Sequence, residues 1–265
     1  MSSQPPAYAA VDYQNTPSEP PKLGFGARLI NVLFSPSETF ADVNRAPKPV
    51  LPIIAVILLG ITGGFLIQAR LHLDAGAIML QKVDESLARQ GKTRDDMPQQ
   101  QKDAIEAQAK FFTKYGWLTP FLAVFAPISL AFFALLFWVG NLVMQGKAQF
   151  PKVLSVVAWS TLVTGIIQLL LNFGGTFIRN PSDIDVTEGV IITNLSPLVP
   201  ASNNIVLHIL LQRFDLFTIW FLILCAIGLA AVSRKKTAGQ MAVITFGWWA
   251  LWVVVRVGWA AIFKS

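Results

Sequence analysis

One cysteine, Cys225, and two histidines, His72 and His208, stand in 265 residues. A lone thiol excludes an intrachain disulfide framework and a thiolate metal cluster. Two histidines exclude a multi-histidine metal site or the paired-histidine helix of a metalloprotease within one chain. Charge is scarce too: 14% of residues are charged and 54% are hydrophobic, whereas ordinary soluble chains are roughly 25% charged. That balance excludes a typical water-soluble domain. There is no Gly-x-Ser-x-Gly elbow. Gly140 with Gly146-Lys147 has one intervening residue too many for a phosphate-binding loop and falls at the end of an apolar run. No cofactor, metal set or catalytic set is therefore expected, and an enzyme is not the expected class.

What is present is apolar residues in long blocks. Blocks rather than alternation predict an all-α membrane protein instead of an outer-membrane barrel. The first fifty residues hold no apolar core of signal-peptide length, so the first span is expected to serve as the insertion signal. The net charge of +6 comes from basic residues that are scattered or follow spans, which orients a protein in a bilayer and does not point to nucleic acid.

Residues 1–21 are rich in Pro, Ser and Gln and predict a disordered cytoplasmic tail. At 23–43, Leu23, Leu29, Ile30, Val32, Leu33 and Phe34 make an apolar stretch too short to cross a membrane. It is expected as two short helices flat on the surface, broken at Ser35-Pro36. Ser35 would cap the second helix, Pro36 would take its first position, and Glu38 would reach back as a capping box; that helix carries Phe40.

Five transmembrane helices are expected, at about 51–69, 118–145, 153–173, 216–233 and 238–263. Gly60 and Gly64 in the first are spaced for close helix approach, and Pro127 predicts a kink in the second. Residues 72–116 are polar, with helical patterns around 78–87 and 104–112, and predict a soluble helical excursion. A loop at 176–204 carries Asp183, Asp185 and Glu188. The run from Leu207 to Gly228 passes a hydropathy window as one span, yet contains Gln212, Arg213 and Asp215. Charge at a bilayer centre costs several kcal/mol. Asp215 is therefore expected to N-cap a helix starting at Leu216, leaving 203–213 as a separate interfacial helix on which His208 is an amphipathic surface residue. The very short links after spans two and four are basic, which predicts a cytoplasmic N-terminus and the C-terminus on the opposite side. The tryptophans near span ends suit the headgroup level. Asp215 and Arg256 are equidistant from the Lys235-Lys236 turn, so they are expected at equal depth and as an ion pair.

The segments "LFSPSETF", "GKAQFPKVLSVVAWSTL" and "RFDLFTIWFLILCAIGLAAVSRKKTAGQMAVI" resemble the Ypt-interacting-protein (Yip) family of membrane proteins, most of all its bacterial members, over about 23–263. The most specific element is Phe214, Asp215, Phe217 and Trp220 with Gly228 and the basic turn; Pro36…Phe40 is a further match. The resemblance implies a five-helix membrane domain over 22–265 with a cytoplasmic N-terminus, here in a bacterial cytoplasmic (inner) membrane. Eukaryotic members act in transport between endoplasmic reticulum and Golgi and bind Rab-type GTPases and one another. Their acidic and glycine motifs are not evident in this chain, which makes GTPase binding doubtful.

The expected function is a non-enzymatic membrane-organising or partner-binding scaffold, whose contacts are the lipid bilayer and other membrane proteins or a second copy. The alternative is a small-solute or ion transporter or channel using Ser129, Asn141, Thr164, Gln168, Asn172 and Arg256 within the spans. Five spans without an internal repeat weigh against that alternative.

Overall fold

A proline one residue beyond the run "FGARLINVLF" sets the first boundary of the fold. In the computed structural model, which describes residues 22–263 apart from 181–183, 185–188, 202 and 234–235, α1 spans Phe25–Phe34 and α2 spans Pro36–Arg45. The expected tail, the three loop carboxylates and two of the three basic turn residues lie outside the described residues. The break falls at Ser35-Pro36, where a residue preceding proline is disfavoured in helical geometry. Pro36 occupies the first position of α2, but the expected capping box is absent: the Ser35 side chain makes no cap bond. At φ −142°, ψ 60° Ser35 is outside the extended N-cap conformation. Its carbonyl instead accepts from the Thr39 amide at 3.1 Å and the Thr39 hydroxyl at 3.0 Å.

The two helices also differ from a pair lying flat on lipid. Phe40 and Val43 of α2 are fully buried against the bundle, so the inward face of α2 is protein-covered. On α1, Val32 is buried while Ile30 and Phe34 stay exposed, which keeps one apolar stripe for a bilayer surface.

The first long helix, α3, spans Val50–Leu71 and ends at His72 in the left-handed region, φ 50°. The polar excursion is a two-helix hairpin of α4 (Ala75–Arg89) and α5 (Gln99–Tyr115). Asp74 caps α4 through the amides of Gly76 at 2.8 Å and Ala77 at 3.2 Å. From α5 the chain continues through ten residues of 3-10 helix, Gly116–Phe125, into α6, Ala126–Val143. The expected kink at Pro127 is thus displaced: Pro127 sits in the first turn of α6, where its missing N–H costs nothing. The irregularity precedes it, around Pro120. Gly60 and Gly64 do admit close approach, since a Cβ added to either would lie 2.7 Å from Ala123 or 2.9 Å from Pro120 of the 3-10 segment.

Next come α7 (Phe150–Gly175), α8 (Ile205–Gln212), α9 (Leu216–Val232) and α10 (Ala238–Phe263). No regular strand occurs among the described residues. Among the described residues four helices are long and apolar enough to cross a membrane: Val50–Leu71, the continuous run Gln99–Val143, Phe150–Gly175 and Ala238–Ile262. The fifth expected span is α9. Its 17 residues rise about 26 Å at ~1.5 Å each, short of a hydrocarbon core of about 30 Å. It is also the most enclosed, with Leu222, Leu224, Cys225, Ala226, Leu229 and Val232 all buried between α7, α2 and α10. Cys225 is a packing residue there. The contacts fix the two ends of the bundle: Asn44 of α2 donates to the Ala231 carbonyl at the end of α9 at 3.1 Å. The segment before α3 therefore shares one end with the α6–α7 and α9–α10 turns, while the hairpin, the 176–204 loop and α8 occupy the other.

Candidate functional site: two polar junctions

The residues singled out in the sequence gather at two places, one at each end of the bundle. At the first, Gly228 lets α9 meet α7 and α2: an added Cβ would lie 2.3 Å from Val156 Cγ1 and 3.2 Å from Phe40 Cδ1. Phe40 and Gly228 are thus one contact, although 188 positions part them in sequence. Pro36 and Ser35 start the helix that carries Phe40; Glu38, in its first turn, is exposed, where its charge suits the positive helix end.

Beside this contact lies an ion pair that periodicity does not disclose. Arg28 of α1 meets Asp42 of α2 at 2.8 Å, with both side chains 5% exposed. Arg28 Nε donates to the same carboxylate at 2.9 Å, and the Lys22 amide donates to its other oxygen at 2.7 Å. Burial pushes the Asp42 carboxyl up, but the Lys22 amide and the Arg28 guanidinium outweigh it and hold it below the usual range.

Asn141 completes this end. Fully buried on α6, it donates to Ser233 after α9 and to Met241 Sδ on α10 at 3.5 Å, and accepts from the Ala148 amide at 3.2 Å. One amide therefore ties three helices and a turn, the polar satisfaction a buried side chain requires. Trp138 Nε1 donates to the Ala148 carbonyl at 3.1 Å.

At the other end, Asp215 caps α9 through the Thr218 amide at 2.8 Å. Its second oxygen accepts from the Thr193 hydroxyl, and an isolated antiparallel bridge joins Asp215 to Asn194. Phe217 is buried, its ring 6.3 Å from the ring of the half-buried Trp220, and the Phe214 ring lies edge-on to Trp249 of α10 at 5.4 Å. The expected Asp215–Arg256 pair does not form. Asp215 is committed to two threonines, while Arg256 is exposed. Equal depth was satisfied in principle, but depth does not fix which way a side chain turns around its helix. His208 also departs from a surface role. It is 8% exposed, with Nδ1 2.8 Å from the Val199 carbonyl and Nε2 3.2 Å from Gln212.

The hairpin hangs above this second junction. Asp74 accepts from Thr113 of α5 at 2.7 Å, and that bond, ahead of the two amides, holds its carboxyl below the usual range. A side chain at Gly76 would collide with the Ala109 carbonyl, so the two helices are in backbone contact. Beneath them is a cavity of about 440 Å³ lined by Ile67, Gln68, Ile78, Pro120 and Asn172, among others. Among the described residues no group of three His, Cys, Asp or Glu is placed to hold a metal ion.

The description "Yip1 domain" matches residues 30–260, from the middle of α1 nearly to the end of α10. This chain belongs to the Yip1 domain family. Its similarity extends to a bacterial relative, "Membrane protein YknW" of Bacillus subtilis (strain 168), 26% identical over 227 residues that cover 83% of this chain and 85% of the relative. No solved structure matches it. This Yip1 domain is an integral membrane protein with several apolar helices. Both junctions lie inside the matched region except for Lys22 and Arg28, which precede it. Phe40 to Gly228 and Asp215 to Thr218 are contacts of the domain itself, made within one chain.

Proposed function

We propose that this Yip1 domain is a non-enzymatic scaffold that crosses a bacterial inner membrane five times, with α9 as the enclosed central span. The N-terminus and the short basic turns face the cytoplasm, the hairpin α4–α5 faces the opposite compartment, and protein partners dock on the hairpin or on the bundle. The observation that supports this reading is how the polar side chains within the spans are used. Ser129 donates to the Ala126 carbonyl, Thr164 to Ser160 and Asn172 to Gln168, each within its own helix. Asn141 is consumed by packing. Groups closed on their own backbone, with Asn141 joining helices, are not offered along one solute path, which weighs against a channel. The hairpin, by contrast, presents an exposed charged surface carrying Asp84–Arg94 and Lys82–Glu85 pairs.

The test is reconstitution of the pure protein in sealed liposomes, paired with photo-crosslinking in cells from positions 92 and 102 of the hairpin region. The scaffold reading expects no saturable solute flux and a discrete protein adduct. Saturable flux abolished by Asn172→Ala would overturn it in favour of transport. Hydrolysis of a lipid or peptide by the pure protein would overturn it in favour of an enzyme.

A further inference from the structure

Where α8 ends it packs on α10, the helix that carries Arg256, and among the described residues neither Arg213 nor Arg256 has an ion-pair partner. Arg213 follows the last residue of α8, with its backbone N–H bonded to the Leu210 carbonyl at 3.0 Å. Its neighbour Phe214 is held edge-on against Trp249 of α10 at 5.4 Å. Trp249 and Arg256 are seven residues apart on α10, two turns and therefore on one face of the helix. The contact that seats Phe214 thus brings Arg213 beside the Arg256 face. The Arg213 guanidinium accordingly has its pKa lowered, first by burial and then by the charge of Arg256.

Among the described residues no carboxylate pairs with either arginine. Asp215, two positions after Arg213, has one oxygen on the Thr193 hydroxyl and the other on the Thr218 amide. Among the described residues the only hydrogen bond Arg213 makes through its side chain is a long one to Gln212 at 3.4 Å, and its buried Nε has no partner there. A buried donor without a partner and two like charges side by side each cost free energy. An anion between the forks would relieve both. Guanidinium forks match phosphate oxygens in geometry and bind them with charge-assisted bonds.

We propose that Arg213 and Arg256 form a site for a phosphate group, that of an anionic phospholipid headgroup at the bilayer rim. The surroundings favour a lipid over free phosphate. Trp252 and Trp259, each 57% exposed, lie four positions before and three after Arg256 on α10, so they flank it on the same side. Indoles settle at the level where headgroup meets acyl chain. The exposed Val255 and Leu251 continue the same helix as a surface for an acyl chain. This inference goes beyond the scaffold reading and stands whether or not a protein partner docks.

The experiment uses the full chain, delipidated in a neutral detergent, with bound lipid counted by native mass spectrometry. The probes are short-chain phosphatidylglycerol, short-chain phosphatidylcholine and inorganic phosphate. The expected result is one saturable phosphatidylglycerol site, weakened about tenfold or more by Arg213→Gln and by Arg256→Gln, since each removes a charge-assisted bond set. Arg256→Lys, which keeps the charge without the fork, should fall between. Arg94→Gln on the hairpin should bind as wild type. Competition by millimolar inorganic phosphate would support the phosphate chemistry while assigning the site to a free anion. Equal retention of phosphatidylcholine, or unchanged binding in both glutamine variants, would overturn the proposal. Circular dichroism of each variant separates lost binding from lost fold: a folded Arg256→Gln protein that binds normally refutes the site even if Arg213→Gln does not fold.

Discussion

Gly228→Ala offers a direct measure of how tightly the junction of α2, α7 and α9 is packed. The added methyl would sit 2.3 Å from Val156 Cγ1 and 3.0 Å from Cγ2, with Phe40 Cδ1 at 3.2 Å. Ordinary carbon contacts are about 3.5–4.0 Å, so the nearest neighbour must retreat by more than about 1 Å. Val156 cannot rotate away cheaply: it is branched at Cβ on a helix, where one rotamer dominates, and it is fully buried. Phe40 is equally enclosed. Overpacking a filled core costs about 1–3 kcal/mol, while replacing glycine by alanine in a helix returns at most about 1 kcal/mol. The expected balance is a loss of about 1–2 kcal/mol, read as a lowered midpoint of thermal or denaturant unfolding in detergent. Gly247→Ala and Gly258→Ala on α10 are the controls, because no atom lies within 4 Å of either added carbon; both should be neutral or slightly stabilising. Val156→Ala combined with Gly228→Ala should recover part of the loss by vacating the contested space. If Gly228→Ala unfolds like wild type, or like the two controls, the close three-helix contact is refuted.

The Arg28–Asp42 pair should behave as a buried ion pair: Arg28→Met alone is expected to cost about 3–5 kcal/mol by stranding the carboxylate, and Arg28→Met with Asp42→Leu to cost much less. Because the folded Asp42 carboxyl is held below its ordinary value of 3.8, its contribution is complete above that value and is lost as pH falls through the folded pKa. An acid unfolding curve that keeps its shape in Asp42→Asn would contradict this. At the other junction, Asp215→Ala should destabilise by about 0.5–2 kcal/mol through loss of the cap. In detergent free of anionic lipid, Arg256→Ala should be neutral or slightly stabilising, because it relieves Arg213 of a like charge, and should show no coupling with Asp215→Ala in a double-mutant cycle; coupling above about 0.5 kcal/mol would restore the ion pair.

Boundaries set by local chemistry were legible in the sequence. Asp215 as the cap of α9, Pro36 as the start of α2, the helical character of 72–116 and the glycine pair of α3 each depend on a few adjacent residues, and the fold has them. Relations between helices were not legible. Arg28 and Asp42 lie 14 residues apart on two short helices whose crossing no periodicity predicts. Asn141 reads as a polar residue in a span until Ser233 and Ala148 are seen around it. Arg256 is equidistant from the turn with Asp215, yet Asp215 is taken by Thr193 and Thr218 instead. The capping box failed because Ser35 must close α1 as well as open α2, its own amide bonding to Asn31 at 2.7 Å, and one backbone conformation cannot serve both ideally. The 3-10 winding of Gly116–Phe125 has no signal beyond Pro120 and depends on what α3 presents to it.

That winding also decides which way the hairpin looks. Ten residues at about 2.0 Å each rise about 20 Å as a 3-10 helix, against about 15 Å as an α-helix. Three residues per turn instead of 3.6 accumulate a difference of roughly 200° over the same stretch. Rewound as an α-helix, the segment would draw α5 inward by about 5 Å and turn it through more than half a revolution, turning the opposite side of the hairpin outward. Ala123 against Gly60 and Pro120 against Gly64 therefore act as a compass bearing. Two glycines within one long apolar helix set the heading of charged residues on the hairpin that neither of them touches.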